Sequence, residues 1–127
     1  MHSDPISDMA TQMRNALMAG HKSVNVPYSK LKEAIIVLLK TEKFIKDYKI
    51  EKIDKFEEIK IIFDEDKEIR NIKKISKPGQ RIYVKSSEMK SVKNGMGIAV
   101  VSTSNGIMPG YKAYKAGIGG EILLEIY

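Results

Sequence analysis

At 127 residues, 43% hydrophobic and 30% charged, the chain fits one domain or two small lobes with a shared core, and its composition excludes a disordered polymer. Its longest unbroken apolar run, Ala34 to Leu39, is six residues, too short to span a bilayer, and no cysteine is present to build a disulfide framework or a thiolate site. The net charge of +6, from 22 basic and 16 acidic residues, favours a nucleic acid or an anionic membrane surface as partner, beside the plain alternative of a solvated face.

The first predicted element is a helix from Pro5 to Ala19. Ile6, Met9, Ala10, Met13 and Leu17 recur at helical spacing, Ser3 or Asp4 can cap, Pro5 suits the first turn and Gly20 is a natural stop. Arg14 and Asn15 fall off that stripe and so face water or a partner. Val24 and Val26 alternate in a short strand closed by Pro27. A second helix over residues 30–42 follows a Ser29 cap and is expected to bury Leu31, Ala34, Ile35, Leu38 and Leu39. Its Lys30 and Lys32 oppose the helix dipole by up to ~1 kcal/mol, which suggests a use elsewhere. Tyr48, Ile50 and Ile53 then predict one strand and Ile59, Ile61 and Phe63 another, broken by Asp64-Glu65-Asp66.

From about Lys67 the pattern is mostly strands. Ile69, Ile72 and Ile75 lead to Lys77-Pro78-Gly79-Gln80, where proline followed by glycine predicts a type II turn. Arg81 to Val84 follows, then an apolar strand from Gly97 to Val101, a helical turn over 109–116 and a closing strand over 121–127. The expected fold class is α+β. An N-terminal α/β lobe (1–65; helix, strand, helix, strand, strand) packs on a C-terminal, mostly β lobe with a short helix (66–127).

The segment Val100-Val101-Ser102-Thr103-Ser104-Asn105-Gly106-Ile107-Met108 carries the most information. Three consecutive hydroxyls after a buried strand can each donate and accept hydrogen bonds, and small side chains admit a second backbone. Those properties suit a sugar–phosphate chain with its ribose hydroxyls, and an ordinary polar turn shares them. Gly117-Ile118-Gly119-Gly120-Glu121 permits either close approach of a ligand or a tight strand entry. It lacks the lysine and hydroxyl residue of a P-loop, and Gly95-Met96-Gly97 lacks the third glycine of a dinucleotide site. The only histidines are His2 and His21, away from the hydroxyls, so neither a nucleophile triad nor a histidine metal pair is supported. Asp64, Glu65 and Asp66 read as a solvated turn rather than a cation site. No enzymatic activity, cofactor or metal is expected. Tyr83, Tyr111 and Tyr114, interleaved with Arg81, Lys112 and Lys115, fit stacking on unpaired bases, and half-buried packing equally.

Taken together, these segments resemble the family of the eighth protein of the bacterial small ribosomal subunit, over essentially the whole chain. The matching blocks begin with Asp4-Pro5-Ile6-Ser7-Asp8-Met9 and Arg14-Asn15-Ala16, then Val26-Pro27 and Ser29-Lys30-Leu31-Lys32. They continue with Ile75 to Tyr83, Gly97 to Met108 and Gly119-Gly120-Glu121-Ile122-Leu123. The resemblance implies a cytoplasmic ribosomal protein that binds the central domain of 16S ribosomal RNA early in assembly and helps organise the platform. It implies contacts with the fifth and twelfth proteins of the same subunit and, in some members, repression of the messenger of their own operon. By the same resemblance the RNA-binding residues are Ser102, Thr103, Ser104, Asn105 and Gly106, with Tyr83, Arg81, Lys77, Gly119, Gly120 and Glu121 beside them. Arg14, Asn15, Lys30 and Lys32 form a second surface.

The chain departs from the family after Met108. A threonine–aspartate pair is replaced by Pro109-Gly110, so the capping aspartate is lost and Pro109 is expected to fix the turn. A usual arginine is Tyr114, which shifts any phosphate contact to Lys112 or Lys115, and a usual cysteine is Leu124. Two rival readings stand beside the ribosomal one: a general basic RNA chaperone, and an enzyme acting on a phosphorylated small molecule at the glycine turn.

Overall fold

A helix leaves its last carbonyls without partners, and this chain answers that demand in the same way three times. The computed structural model, which describes residues 4–89 and 97–127, contains α1 (Pro5–Met18), α2 (Lys30–Thr41) and α3 (Gly110–Ala116). Each is followed by a residue with left-handed φ: Gly20 at +76°, Lys43 at +67° and Gly117 at +70°. The next amide then reaches back, His21 N–H to the Ala16 carbonyl (2.9 Å), Phe44 to Leu39 (2.8 Å) and Ile118 to Ala113 (3.0 Å). Two of these stops use glycine, which enters the left-handed region without steric cost. The third spends a lysine there, and it places Phe44 and Ile45 in the core at 4% and 2% exposure. Nothing in the local sequence marks Lys43 as a stop, and these two core residues were not expected.

At the other ends, the caps fall where the sequence puts them. The Asp4 carboxylate accepts from Ser7 N–H at 3.2 Å and the Ser29 hydroxyl from Lys32 N–H at 3.1 Å. Ser3, the alternative cap, lies outside the described residues.

Residues 8–69 form one unit. Its sheet is antiparallel, in the order β1 (Ser23–Pro27), β3 (Phe56–Ile62), β2 (Asp47–Ile53). Val26 and Ile50 lie opposite Ile59, and Val24 and Tyr48 opposite Ile61. Directly opposed residues share a face, and Val26, Ile59 and Ile61 are fully buried on this one. The other face is polar, with Asn25 donating to Glu51 and Glu58 at 3.0 and 3.2 Å. The buried residues of α2 include Lys32, Ile35, Ile36 and Leu39, spaced at three, four and seven. Leu31, expected in the core, sits one position off that stripe and is 42% exposed.

Residues 70–127, together with 4–7, form the other unit. Its sheet runs β4 (Ile72–Lys74), β8 (Gly120–Ile126), β6 (Ile98–Thr103), β7 (Gly106–Pro109), and β5 (Tyr83–Val84) pairs with β8 on the same edge as β4. Ile72, Val100, Leu124 and Ile126 are buried on one face. On the opposite face α3 lies over β6: Ala113 is fully buried, and a Cβ on Gly110 would stand 3.5 Å from that of Ala99. Pro109 caps α3 at φ −71° without a side-chain hydrogen bond, the outcome expected once the aspartate is gone.

Two local readings differ from the sequence. The Lys77–Gln80 turn forms, with mutual 2.9 Å hydrogen bonds between its end residues. Gly79, however, is not among the glycines of left-handed φ that a type II turn demands; Pro78 fixes only the φ that types I and II share. The stretch from Gly106 to Pro109, to which the sequence assigned no element before the helical turn, is β7. The fold class is α+β, as expected. No helix among the described residues is long and apolar enough to cross a membrane.

The strained stop predicts its own remedy. Lys43→Gly removes a left-handed side-chain penalty of ~1–2 kcal/mol and loses some of it to a freer unfolded chain. A net gain of roughly 0.5–1 kcal/mol is expected, read as a higher urea midpoint at unchanged m-value.

Candidate nucleic-acid interface

The start of β8 gathers residues that stand far apart in the sequence. Glu121 lies opposite Tyr83 of β5 on one side and Ser102 of β6 on the other, and Ser102 lies opposite Ile107 of β7. Tyr83, Glu121, Ser102 and Ile107 thus form one row across four strands, ~4.8 Å apart, with their side chains on one face. Tyr83 is 70% exposed and Ser102 half-buried.

This row exists because the two residues at the entry to β8 are glycines. A Cβ on Gly120 would collide with the Ser102 carbonyl and stand 2.9 Å from a methyl of Val101. A Cβ on Gly119 would lie 2.6 Å from the Val84 carbonyl and 3.2 Å from the Lys85 Cα. Both glycines therefore admit neighbouring protein backbone, so the turn serves as a tight strand entry. This filled space also weighs against a small-molecule pocket at the glycine turn.

The hydroxyl segment is the tip of the β6–β7 hairpin. Thr103 pairs with Gly106 across a two-residue turn, Ser104-Asn105, and Gly106 takes φ +102°, as in a glycine bulge. The Thr103 hydroxyl donates to the Gly106 carbonyl at 2.8 Å and accepts from Asn105 N–H at 3.1 Å. It is consumed in bracing the turn. Ser104 and Asn105 are exposed at the tip, and among the described residues the Ser104 hydroxyl makes no hydrogen bond. The three hydroxyls thus have three positions: one in the row, one inside the turn, one at the tip. None lies buried within the unit.

Charge is arranged around this rim. Arg81 donates from Nη1 to Glu121 Oε2 at 3.1 Å, with Glu121 largely covered and about half of the Arg81 side chain open to solvent. Glu121 therefore steers a guanidinium that still has free edges. Lys77 is exposed on the turn before Arg81. The buried Ser76 accepts from Ile82 N–H at 2.9 Å and so ties the two arms of that turn together. Along the same face Lys74, opposite Leu124, is nearly covered and pairs with Asp4 at 3.7 Å. Burial pushes its ammonium below the usual lysine range, opposed by the Asp4 and Glu121 carboxylates. Lys112 and Lys115 are exposed on α3, which leads into the glycine entry.

The remaining predicted residues belong to the other unit. Asn15 and Lys30 are exposed. Arg14 is half-buried and donates to the Thr11 hydroxyl at 3.1 Å. Lys32 is 6% exposed, with its ammonium on the Pro27 carbonyl at 3.1 Å; it holds the turn into α2 and offers little charge to a partner. Sequence reasoning missed the Arg81–Glu121 pair, since no local pattern links residues forty apart, and it missed the bracing role of Thr103. Among the described residues no group of three His, Asp or Glu is placed to hold a metal ion.

A family model described as ribosomal protein S8 matches residues 4–127. Small ribosomal subunit protein uS8 of Ruthia magnifica subsp. Calyptogena magnifica is 46% identical over 128 residues, covering 98% of each chain. The proteins of that name from Oleidesulfovibrio alaskensis and Oceanobacillus iheyensis are 46% identical over 127 residues and 43% over 129, covering 100% and 98% of each chain.

The glycine entry can be checked on stability alone. Gly120→Ala forces backbone apart and is expected to cost ~1–3 kcal/mol. Gly79→Ala, in open space and at ordinary φ, should stay within about 0.5 kcal/mol of the parent. Chemical denaturation of both variants measures the contrast.

Proposed function

This chain belongs to the ribosomal protein S8 family, and from that premise we propose that it is a structural, non-enzymatic protein of the small ribosomal subunit that grips folded ribosomal RNA with its C-terminal lobe. The observation that carries the reading is the row Tyr83, Glu121, Ser102 beside the exposed Ser104-Asn105 tip. An aromatic face, short hydroxyls and a steered guanidinium meet there on one sheet face, the combination suited to ribose hydroxyls and phosphates in an irregular groove.

The proposed target is the central domain of 16S ribosomal RNA. Ser102, Ser104, Asn105 and Tyr83 would touch sugar and base edges, with Arg81 and Lys77 on phosphate. Thr103, Gly106, Gly119, Gly120 and Glu121 would set the shape of the rim. Asn15, Lys30 and Arg14 would offer a second, weaker surface, to RNA or to the neighbouring fifth and twelfth proteins of the subunit. A messenger of its own operon that carries a similar RNA fold would occupy the same rim. The place of action on this reading is the cytoplasmic ribosome.

Footprinting of the purified chain on full-length small-subunit RNA tests the target. Protection confined to one irregular helix of the central domain is the expected result; uniform protection of plain duplex would instead make the chain a general basic RNA chaperone. Ser104→Ala should weaken binding to the irregular helix by about 1–3 kcal/mol with the unfolding midpoint unchanged, because among the described residues the hydroxyl makes no hydrogen bond. An unaltered dissociation constant in a filter assay removes the tip from the site. Because affinity rests on phosphate neutralisation, the log–log salt dependence should fall by roughly 0.7–0.9 per phosphate contact. Arg81→Gln should flatten that slope by about one contact.

A further inference from the structure

The segment that leads into the glycine entry carries a feature the rim does not use. α3 seats Gly110 and Ala113 against β6, and turns a different set of residues outward. Tyr111 is 44% and Tyr114 58% exposed, and Lys112 and Lys115 are exposed with them. Residues three and four apart are surface neighbours on a helix, so Tyr111 adjoins both Tyr114 and Lys115. Two large rings left open on a seven-residue helix form an apolar surface that folding does not bury. The helix itself carries two lysines and no acid, and the nearest acid on an element packed against it is Glu88, at the end of the short turn Ser86–Glu88.

Position adds to composition. α3 ends at Ala116 with Gly117 as its cap, and Ile118 leads to Gly119, where a Cβ would meet the Val84 carbonyl beside Tyr83. Lys115 is four residues from Gly119, so at most ~14 Å of chain separates the open face of α3 from the rim. A polynucleotide lying on the rim would meet this face within a few nucleotides.

We propose that the open face of α3 is a stacking subsite for an unpaired base of the RNA that lies on the rim, with Tyr114 as the platform, Tyr111 beside it, and Lys112 and Lys115 on the flanking phosphates. A tyrosine face binds any base through its π surface, and neighbouring lysines hold the backbone without reading sequence. The occupant is therefore an extruded nucleotide next to a helix, not a regular duplex, whose bases are already stacked. The assignment rests on the rim reading for the source of the RNA, yet it is separable from it by experiment.

Three RNA probes, and a plain duplex as control, are titrated with the full chain. The first is a hairpin stem with an internal loop that carries one bulged 2-aminopurine. The second is the same stem with the bulged base deleted and the mismatch kept. The third is a six-nucleotide single strand containing 2-aminopurine. Tyr114→Ala should weaken the first and third by roughly five- to a hundredfold and abolish the fluorescence quenching that stacking causes. It should leave the second unchanged, and Tyr114→Phe should restore binding. Lys112→Gln with Lys115→Gln should flatten the salt slope on the first probe by about 1.4 to 1.8. Because Tyr114 is mostly exposed, its truncation leaves the unfolding midpoint in place, which circular dichroism confirms for each variant. Equal binding of all three probes by parent and Tyr114→Ala, or equal loss on the first and second, overturns the subsite while leaving the rim intact. A parent chain that ignores the difference between the second probe and a plain duplex undoes the rim reading instead, and the single strand still decides α3.

Discussion

Everything at the rim depends on one contact between backbones: the entry of β8 passes so close to the Ser102 and Val84 carbonyls that no side chain fits at residues 119 and 120. Close packing of that kind is a constraint before it is an attraction, since interiors tolerate no overlap and transmit strain when forced. With glycine at both positions, β5 and β6 are held on either side of β8, and the residues they carry come into register. Tyr83 and Ser102 owe their common face to this spacing.

Polar groups around the contact divide between holding the rim and facing outward. The Thr103 hydroxyl is spent on its own turn, Ser76 on the arms of the neighbouring one, and Glu121 on Arg81. Ser104, Asn105, Lys77 and one edge of Arg81 stay open. A surface preorganised in this way loses less conformational freedom on binding than a loose loop would. Lysine dominates the positive charge, and a point charge that suits phosphate leaves any selectivity to shape.

Lys74 shows the cost of such an arrangement. Nearly covered, it keeps an ammonium in a poorly solvated place, with Asp4 as its partner. The same carboxylate caps α1, so one residue near the N-terminus serves a helix end and a buried charge within the same unit. A buried charge without its partner is strongly unfavourable, which ties residues 4–7 to the strands of that unit.

What the sequence determined by itself was mostly local. Helical spacing placed α1, Ser29 capped α2, and Gly20 marked a stop, because caps and periodicity act over a few residues. Lys43 and Leu31 escaped it: a lysine forced to left-handed φ and a leucine one position off the buried stripe are outcomes of packing, not of propensity. The family resemblance pointed to Ser102, Tyr83 and Glu121 as a group, but no spacing in the chain says that they share a face. Only the tertiary structure decided that, through strand register and the glycine contact, since pairings between residues 83, 102 and 121 are set by which backbones can touch and not by what lies next to them in sequence.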